Sequence, residues 1–274
     1  MKAATLIGII VAFVGLLMGA TLEGVSPTAI LLPAPLCIVL IGTFGATMAS
    51  VGMEGVKSIV PAYKRTFSAP DLDLASRVQL LVGQAERARK DGLLALESEL
   101  DDIDDAFTRN GLRMVVDGTE PDLVRDVLDA EITNMEHRHK QVADVFEKAG
   151  GFAPTIGIIG TVTSLLHVLS NLSDPSTLGP AIAGAFVATL LGVGTANVIY
   201  LPISSRLKKL SSEEVAMRTM IVEGVLAIQA GDNPRIVAEK LLTYLPPAER
   251  EAAREPAGPN LRLAEDPATA AAAA

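Results

Sequence analysis

Two apolar stretches of the sequence carry hydroxyl side chains, and these are the first candidates for chemistry. Thr161 lies in residues 151–172 on one helical face with Gly157, and Thr189 lies in residues 180–203 on one face with Gly192. A buried hydroxyl bonds the carbonyl four residues earlier, and oxygen atoms also replace the water around a dehydrating cation. The two faces therefore indicate either an ion pathway or a seam at which small residues let membrane helices approach closely.

The residue types that are missing are equally informative. No Asp, Glu, Lys or Arg occurs in the four apolar runs of the sequence, residues 4–20, 32–53, 151–172 and 180–203. Proton and sodium carriers usually keep an ionisable group at membrane depth, because such groups are costly there and are retained for ion movement. We therefore expect a helix from another chain to pack against the two small faces and to supply the carboxylate.

Enzyme and metal signatures are also missing. The sequence has no phosphate-binding glycine loop, no nucleophile elbow and no HExxH pattern, so we predict no enzyme activity and no cofactor. His137 and His139 are two positions apart and cannot face each other on a helix, which excludes them as a metal pair. The single cysteine, Cys37, lies inside an apolar run, where we expect it to be buried by packing.

The four apolar runs are long enough to cross a bilayer. Short connectors rich in turn residues, 21–31 and 173–179, join them into two hairpins. Neither connector contains Lys or Arg, whereas Lys57, Lys148 and Arg206 lie at the opposite ends of the runs. Because positive residues stay in the cytoplasm, both termini and the long middle segment are expected inside. The predicted fold class is an all-α, polytopic membrane protein with four transmembrane helices in two hairpins and a helical cytoplasmic domain.

The expected domain organisation follows the four spans. It comprises a transmembrane hairpin (residues 1–53), a helical cytoplasmic domain (54–150) and a second, pore-lining hairpin (151–203). Cytoplasmic C-terminal helices (204–247) and a disordered tail (248–274) follow. The tail is rich in Pro, Glu and Ala and has no apolar pattern, which is typical of disorder.

Periodicity predicts the helices outside the membrane. An apolar stripe that includes Leu96 and Phe107 indicates one helix, which Asn110-Gly111 is expected to end. A long helix is predicted from Pro121 towards residue 148, with a bend at residues 150–151 before the third span. Ser211 and Glu214 have the spacing of a capping box, which predicts a helix from there to residue 229. Residues 232–234 predict the start of another helix, which is expected to end at residues 246–247.

Taken together, the residues resemble the MotA/PomA flagellar stator subunits, which are distant relatives of the TolQ/ExbB energisers. The resemblance covers residues 1 to about 247. Five segments carry it: residues 38–47 (IVLIGTFGAT), 153–161 (APTIGIIGT), 179–180 with 188–192 (GP and ATLLG), 201–203 (LPI) and 223–229 (EGVLAIQ).

The resemblance implies partners that the chain alone does not reveal. Five copies of the chain would surround two copies of a MotB-like, single-span, peptidoglycan-binding partner in the bacterial inner membrane. In that family the partner's transmembrane Asp carries the ion, and the ring turns against the rotor protein FliG. The net charge of −9 argues against an anionic membrane surface or nucleic acid as the main partner.

The resemblance also assigns roles to residues. Pro154 and Pro202 match two functional prolines near the cytoplasmic ends of the pore-lining helices; the alternative is that each proline only marks a helix boundary. Thr161 and Thr189 match threonines associated with the pathway in sodium-driven members. His167 has no counterpart among the family's ion ligands, and we expect it to pack beside the pore.

A charged group in the middle segment matches the positions that face the rotor. It consists of Arg89, Lys90 and Glu97, and Gly92 is expected to break the helix between them. Without the resemblance, these three residues would be interpreted as an ordinary solvated helix face.

The coupling ion and the wider function remain open to alternatives. The threonines favour sodium, whereas most stators of this type use protons, and we predict protons. A TolQ/ExbB-type energiser of envelope transport is the main alternative, but those relatives have one span before the large cytoplasmic segment and this chain has two. A substrate transporter is disfavoured by the uncharged spans, and a purely structural membrane scaffold is the remaining possibility.

Overall fold

Helices form all the regular structure in the part of the chain that this computed structural model describes, residues 4–67, 72–173 and 175–254. The α-helices are α1 (Ala4–Leu22), α2 (Pro33–Leu36), α3 (Gly42–Lys57), α4 (Ile59–Phe67), α5 (Leu74–Asp91), α6 (Ala106–Val116), α7 (Pro121–Ser170), α8 (Pro175–Thr195), α9 (Leu201–Gln229), α10 (Pro234–Leu242) and α11 (Arg250–Arg254). Short 3-10 helices lie at Pro27–Ile30, Leu93–Asp102 and Pro247–Glu249, and π-helical turns at Cys37–Ile41 and Ala196–Tyr200.

Four helical segments are long and apolar enough to span a membrane. They are Ala4–Leu22, Pro33–Lys57, Pro121–Ser170 and Leu178–Gln229. We call the apolar part of each segment, which crosses the membrane, a span, and number the spans one to four in chain order. The predicted all-α fold with four spans is therefore confirmed. The third and fourth segments, with 50 and 52 residues, are more than twice the roughly 20 residues that a bilayer requires, so each extends well beyond the membrane.

The long helix from Pro121 joins span three as expected, because α7 runs unbroken from Pro121 to Ser170. One predicted helix boundary is absent. Ser211 does not cap a new helix, because α9 begins at Leu201 and runs through it to Gln229. The predicted start at Pro121 and end at Gln229 are confirmed.

The chain packs as two compact units. Unit 1 comprises residues 1–69 and 138–210, and unit 2 comprises residues 70–137 and 211–274. The domains predicted from the sequence are defined by the side of the membrane on which they lie, whereas these units are defined by packing. The units therefore do not test the predicted domain boundaries, which stay a prediction.

Unit 1 has a small core at one end of its spans. The rings of Tyr63 and Phe146 meet edge to face, with centroids 5.2 Å apart, beside the fully buried Ile203. Span one contributes no buried residue. Cys37 is exposed, so its predicted burial is wrong: it lies on an outward face of the π-helical turn, and an apolar residue of a membrane helix need not be covered by its own chain.

Unit 2 has the larger core, and it explains a second wrong boundary. Gly111 does not end a helix but lies inside α6, where an added Cβ would be 3.2 Å from a Val225 methyl group and 3.3 Å from a Leu128 methyl group. The glycine is needed for close packing and not for a turn. The stripe from Leu96 to Phe107 is buried as expected, but it crosses from a 3-10 helix into α6 instead of following one helix.

The C-terminal part of unit 2 contains a charged network. Glu223 accepts hydrogen bonds from Lys240 and Arg125, at 2.5 and 3.0 Å. The Lys240 hydrogen bond is the main cause of the lowered pKa of this carboxyl group. Beyond α10, residues 250–254 are helical and Ala253 joins the core. The predicted disorder from residue 248 is therefore wrong up to residue 254; residues 255–274 lie outside the described residues.

Candidate functional site

Spans three and four cross at glycine, and their backbones come into direct contact there. A Cβ on Gly192 would lie 2.5 Å from the Ala153 carbonyl oxygen and 3.1 Å from the Gly157 Cα. A Cβ on Gly157 would lie 2.8 Å from the Ala188 carbonyl oxygen. Small residues allow membrane helices to approach this closely. The small-residue faces of spans three and four therefore pack against each other within one chain at these glycines. The sequence suggested instead that both faces pack around a helix from another chain.

Thr161 and Thr189 meet across the same helix crossing. Their Oγ1 atoms are 2.5 Å apart, and Thr161 Oγ1 also lies 3.0 Å from the Ala185 carbonyl oxygen and 3.1 Å from the Gly157 carbonyl oxygen. Each hydroxyl has one proton to donate, so one threonine donates to the other and the second donates to a helix carbonyl. Four oxygen atoms are thus gathered at one half-buried point between two spans.

Several other polar side chains of these spans bond within their own helices. Thr163 donates to the Ile159 carbonyl and Thr195 to the Leu191 carbonyl, each four residues earlier, and Asn197 donates to the Val193 carbonyl. Such bonds satisfy a polar side chain without linking helices. The Thr161–Thr189 contact differs because it joins spans three and four, a distinction that the sequence pattern did not make.

His167 is exposed in the single chain, and its ring nitrogen Nδ1 lies 3.2 Å from the amide nitrogen of Asn171, one turn further along. Its position beside the pore stays a prediction, because the pore would form between chains. Among the described residues, no group of His, Cys, Asp and Glu is arranged to hold a metal ion.

The two prolines flank a second close contact, at the opposite end of span three from His167. Pro154 lies inside the unbroken helix α7, and Pro202 is the second residue of α9, directly after a π-helical turn. Gly150, four residues before Pro154, packs so tightly against Leu201 that an added Cβ would be 2.6 Å from a Leu201 methyl carbon. Each proline lacks the backbone N–H that would complete the helical hydrogen-bond ladder, so both helices are locally weakened close to this contact. Both prolines thus lie inside continuous helical segments, and Pro202 follows the change from π-helical to α-helical hydrogen bonding.

The charged residues predicted to face the rotor form an exposed surface of unit 2. Arg89 and Lys90 end α5, Gly92 follows with φ 89° and ψ 163°, and Glu97 lies in the 3-10 helix after it. All three charged side chains are exposed. The predicted helix break at Gly92 is confirmed, since a positive φ is a conformation that glycine adopts without strain. We call Arg89, Lys90 and Glu97 the charged surface.

A partly exposed clamp links the two elements that carry the charged surface. Glu99 forms an ion pair with Arg87 and accepts a hydrogen bond of 3.0 Å from Gln84. The clamp joins α5 to the 3-10 helix. Sequence reasoning did not find it, because Arg87 and Glu99 are twelve residues apart and only the reversal at Gly92 brings them together.

Comparisons with known proteins agree with this architecture. The model of the MotA/TolQ/ExbB proton channel family matches residues 99–220. Motility protein A of Bacillus subtilis is 40% identical over 251 residues, which cover 91% of this chain and 93% of that protein. Chemotaxis protein PomA of Vibrio alginolyticus is 34% identical, with coverage of 91% and 98%.

The fold is similar to that of solved stator structures. A chain in the structure of the flagellar MotAB stator complex from Bacillus subtilis superposes with a TM-score of 0.85 at 40% identity, which covers 91% of this chain and 99% of that one. With extensive identity to motility proteins, an all-helical fold and four spans, the chain belongs to the MotA/TolQ/ExbB proton channel family and is a multi-pass membrane subunit of the flagellar stator, not an enzyme.

Proposed function

We propose that five copies of this chain form a ring around two copies of a MotB-like, single-span, peptidoglycan-binding partner. Inward cation flow through this complex produces torque on the rotor protein FliG. The complex lies in the bacterial inner membrane, with both termini of this chain in the cytoplasm. The observation that carries the proposal is the absence of any carboxylate from the four spans, although spans three and four gather hydroxyl and carbonyl oxygens at one point. The partner's intramembrane Asp supplies the ionisable group that these oxygens lack.

Ion conduction is expected to depend on the partner. Reconstituted alone in liposomes, this chain should pass no measurable proton or sodium current, because its spans contain no carboxylate to carry the ion. Co-reconstitution with the single-span partner should give a flux, and replacing the partner's intramembrane Asp with Asn should remove it. A robust current from this chain by itself would contradict the proposal.

The proposed ion pathway contains Thr161 and Thr189, with Pro154 and Pro202 at its cytoplasmic end. We propose the proton as the coupling ion. In support, the family whose model matches this chain is described as a proton channel family.

Swimming is therefore expected to persist without external sodium and to stop when a protonophore is added. Thr161→Ser, which keeps the hydroxyl, serves as the control for Thr161→Ala. Swimming speed that rises with sodium concentration, and is lost in Thr161→Ala but kept in Thr161→Ser, would instead assign sodium.

The proposed topology is open to cysteine labelling. In a Cys37→Ala background, cysteines at Ser26 and Ser176, in the two short connectors, should react in intact cells with a thiol reagent that does not cross membranes. A cysteine at the exposed Ser98 of unit 2 should react only after the cells are opened. Labelling of Ser98 in intact cells would overturn the topology.

A further inference from the structure

A groove of about 410 Å³ lies between span one and the helical segment that runs from the end of span four into α9. Gly8 and Ala12 of α1 form part of one wall, and Asn197 and Pro202 form part of the other. The groove has the volume of a typical small-molecule site, about 300–1,000 Å³. A Cβ added to Gly8 would meet no atom within 4 Å, so this stretch of the wall is not covered by the chain.

The groove is apolar along its length and basic at one end. Arg206 and Lys209 line it, and because they are three positions apart on α9 they share one helix face. None of the described residues that line the groove is acidic. In the proposed topology, the start of α1 and residues 206–209 both lie at the cytoplasmic end of the spans. This is the depth of the phosphate groups of the inner leaflet.

The chain leaves span one uncovered on the groove side. No residue of α1 is buried, and Gly8 and Ala12, which line the groove, are exposed. An aqueous anion would match the two cations but not the apolar wall, whereas an acyl chain with a phosphate at its end matches both. Basic pockets between transmembrane helices on the cytoplasmic side bind anionic headgroups in this way.

We propose that the groove between α1 and α9 is a binding site for an anionic phospholipid of the inner leaflet. Its phosphate pairs with Arg206 and Lys209, and one acyl chain lies along Gly8 and Ala12. The bound lipid fills the space beside Pro202 and holds span one against the rest of unit 1. The overall net charge of −9 does not exclude this binding, because the described residues that line the groove include two cations and no carboxylate.

The test uses the complete stator complex, reconstituted into nanodiscs that contain phosphatidylglycerol and phosphatidylethanolamine. Retained lipid is counted by native mass spectrometry. Arg206→Gln combined with Lys209→Gln should lower retained phosphatidylglycerol by roughly tenfold, since each cation strengthens binding to anionic lipid, and should leave phosphatidylethanolamine unchanged. Gly8→Leu, which fills the groove and keeps both charges, should lower phosphatidylglycerol to a similar degree.

The matched control is Lys57→Gln combined with Lys64→Gln, which removes two exposed cations that do not line the groove. This variant should retain phosphatidylglycerol at the original level. An equal loss of phosphatidylglycerol in the control would show that the cations act only through general attraction to anionic lipid. That result would overturn the proposal. Unchanged retention in the groove variants would also overturn it, and if Gly8→Leu then disrupts the ring, the groove is a contact between copies of the chain. Cysteine labelling tests the topology separately, so the two failures are distinguishable.

Discussion

Replacing Gly192 with alanine is expected to abolish motility and to lower the melting temperature of the purified stator. The new Cβ would lie 2.5 Å from the Ala153 carbonyl oxygen, and a backbone atom cannot rotate away as a side chain does. Spans three and four would have to separate, and overpacking of this kind costs about 1–3 kcal/mol where side chains can adjust. Separation would also part Thr161 from Thr189, whose Oγ1 atoms are 2.5 Å apart.

Gly194→Ala is the matched control, because Gly194 is on the same helix and a Cβ there meets nothing within 4 Å. Alanine is favoured over glycine in a helix by about 1 kcal/mol, so this variant should keep or raise the melting temperature. The measurements are swimming in soft agar and thermal unfolding of the detergent-solubilised complex. Equal behaviour of Gly192→Ala and the unsubstituted protein would show that the crossing tolerates separation.

The sequence predicts the membrane-spanning architecture well because hydrophobic length and charge placement are local properties. Four uncharged runs, the proline at the start of α7 and the asparagine that caps α10 are all visible without a structure. Asn233 accepts a hydrogen bond from the Arg235 backbone N–H, which is the cap that the Asp-Asn-Pro sequence suggests. Features of this kind depend on neighbours within a few residues.

The errors come from contacts between residues that are distant in sequence. Gly111 has the local signature of a helix end, but its lack of a side chain serves packing against Val225, 114 positions away. Residues 223–229, one of the segments that carry the family resemblance, also make contacts with residues distant in sequence. Glu223 pairs with Arg125 and Lys240, and a Cβ on Gly224 would lie 2.8 Å from a Leu81 methyl carbon. This segment therefore holds unit 2 together, which the sequence pattern alone did not reveal.

The candidate site was predicted in part. The choice of Thr161 and Thr189 came from the resemblance, and their faces came from helical periodicity, but periodicity cannot show whether two faces meet each other or a foreign helix. The charged surface was placed correctly on both sides of a break at Gly92, because a glycine between two charged stretches is a local signal. The clamp formed by Arg87 and Glu99 was not found, since it exists only after the chain reverses.

We propose that the charged surface contacts FliG. Reversing Arg89 or Glu97 to the opposite charge is therefore expected to abolish or strongly reduce swimming, because charge complementarity at a docking surface governs recognition. The membrane level and assembly of the protein should not change, since both side chains are exposed and the adjacent clamp stays intact. Immunoblotting, native gels and swimming assays measure these effects. Asp126→Lys, at another exposed position of unit 2, is the control and should swim normally. A compensating reversal in FliG should restore swimming to Arg89→Glu. If the reversed proteins fail to accumulate, Arg89 and Glu97 are structural and the rotor assignment is wrong.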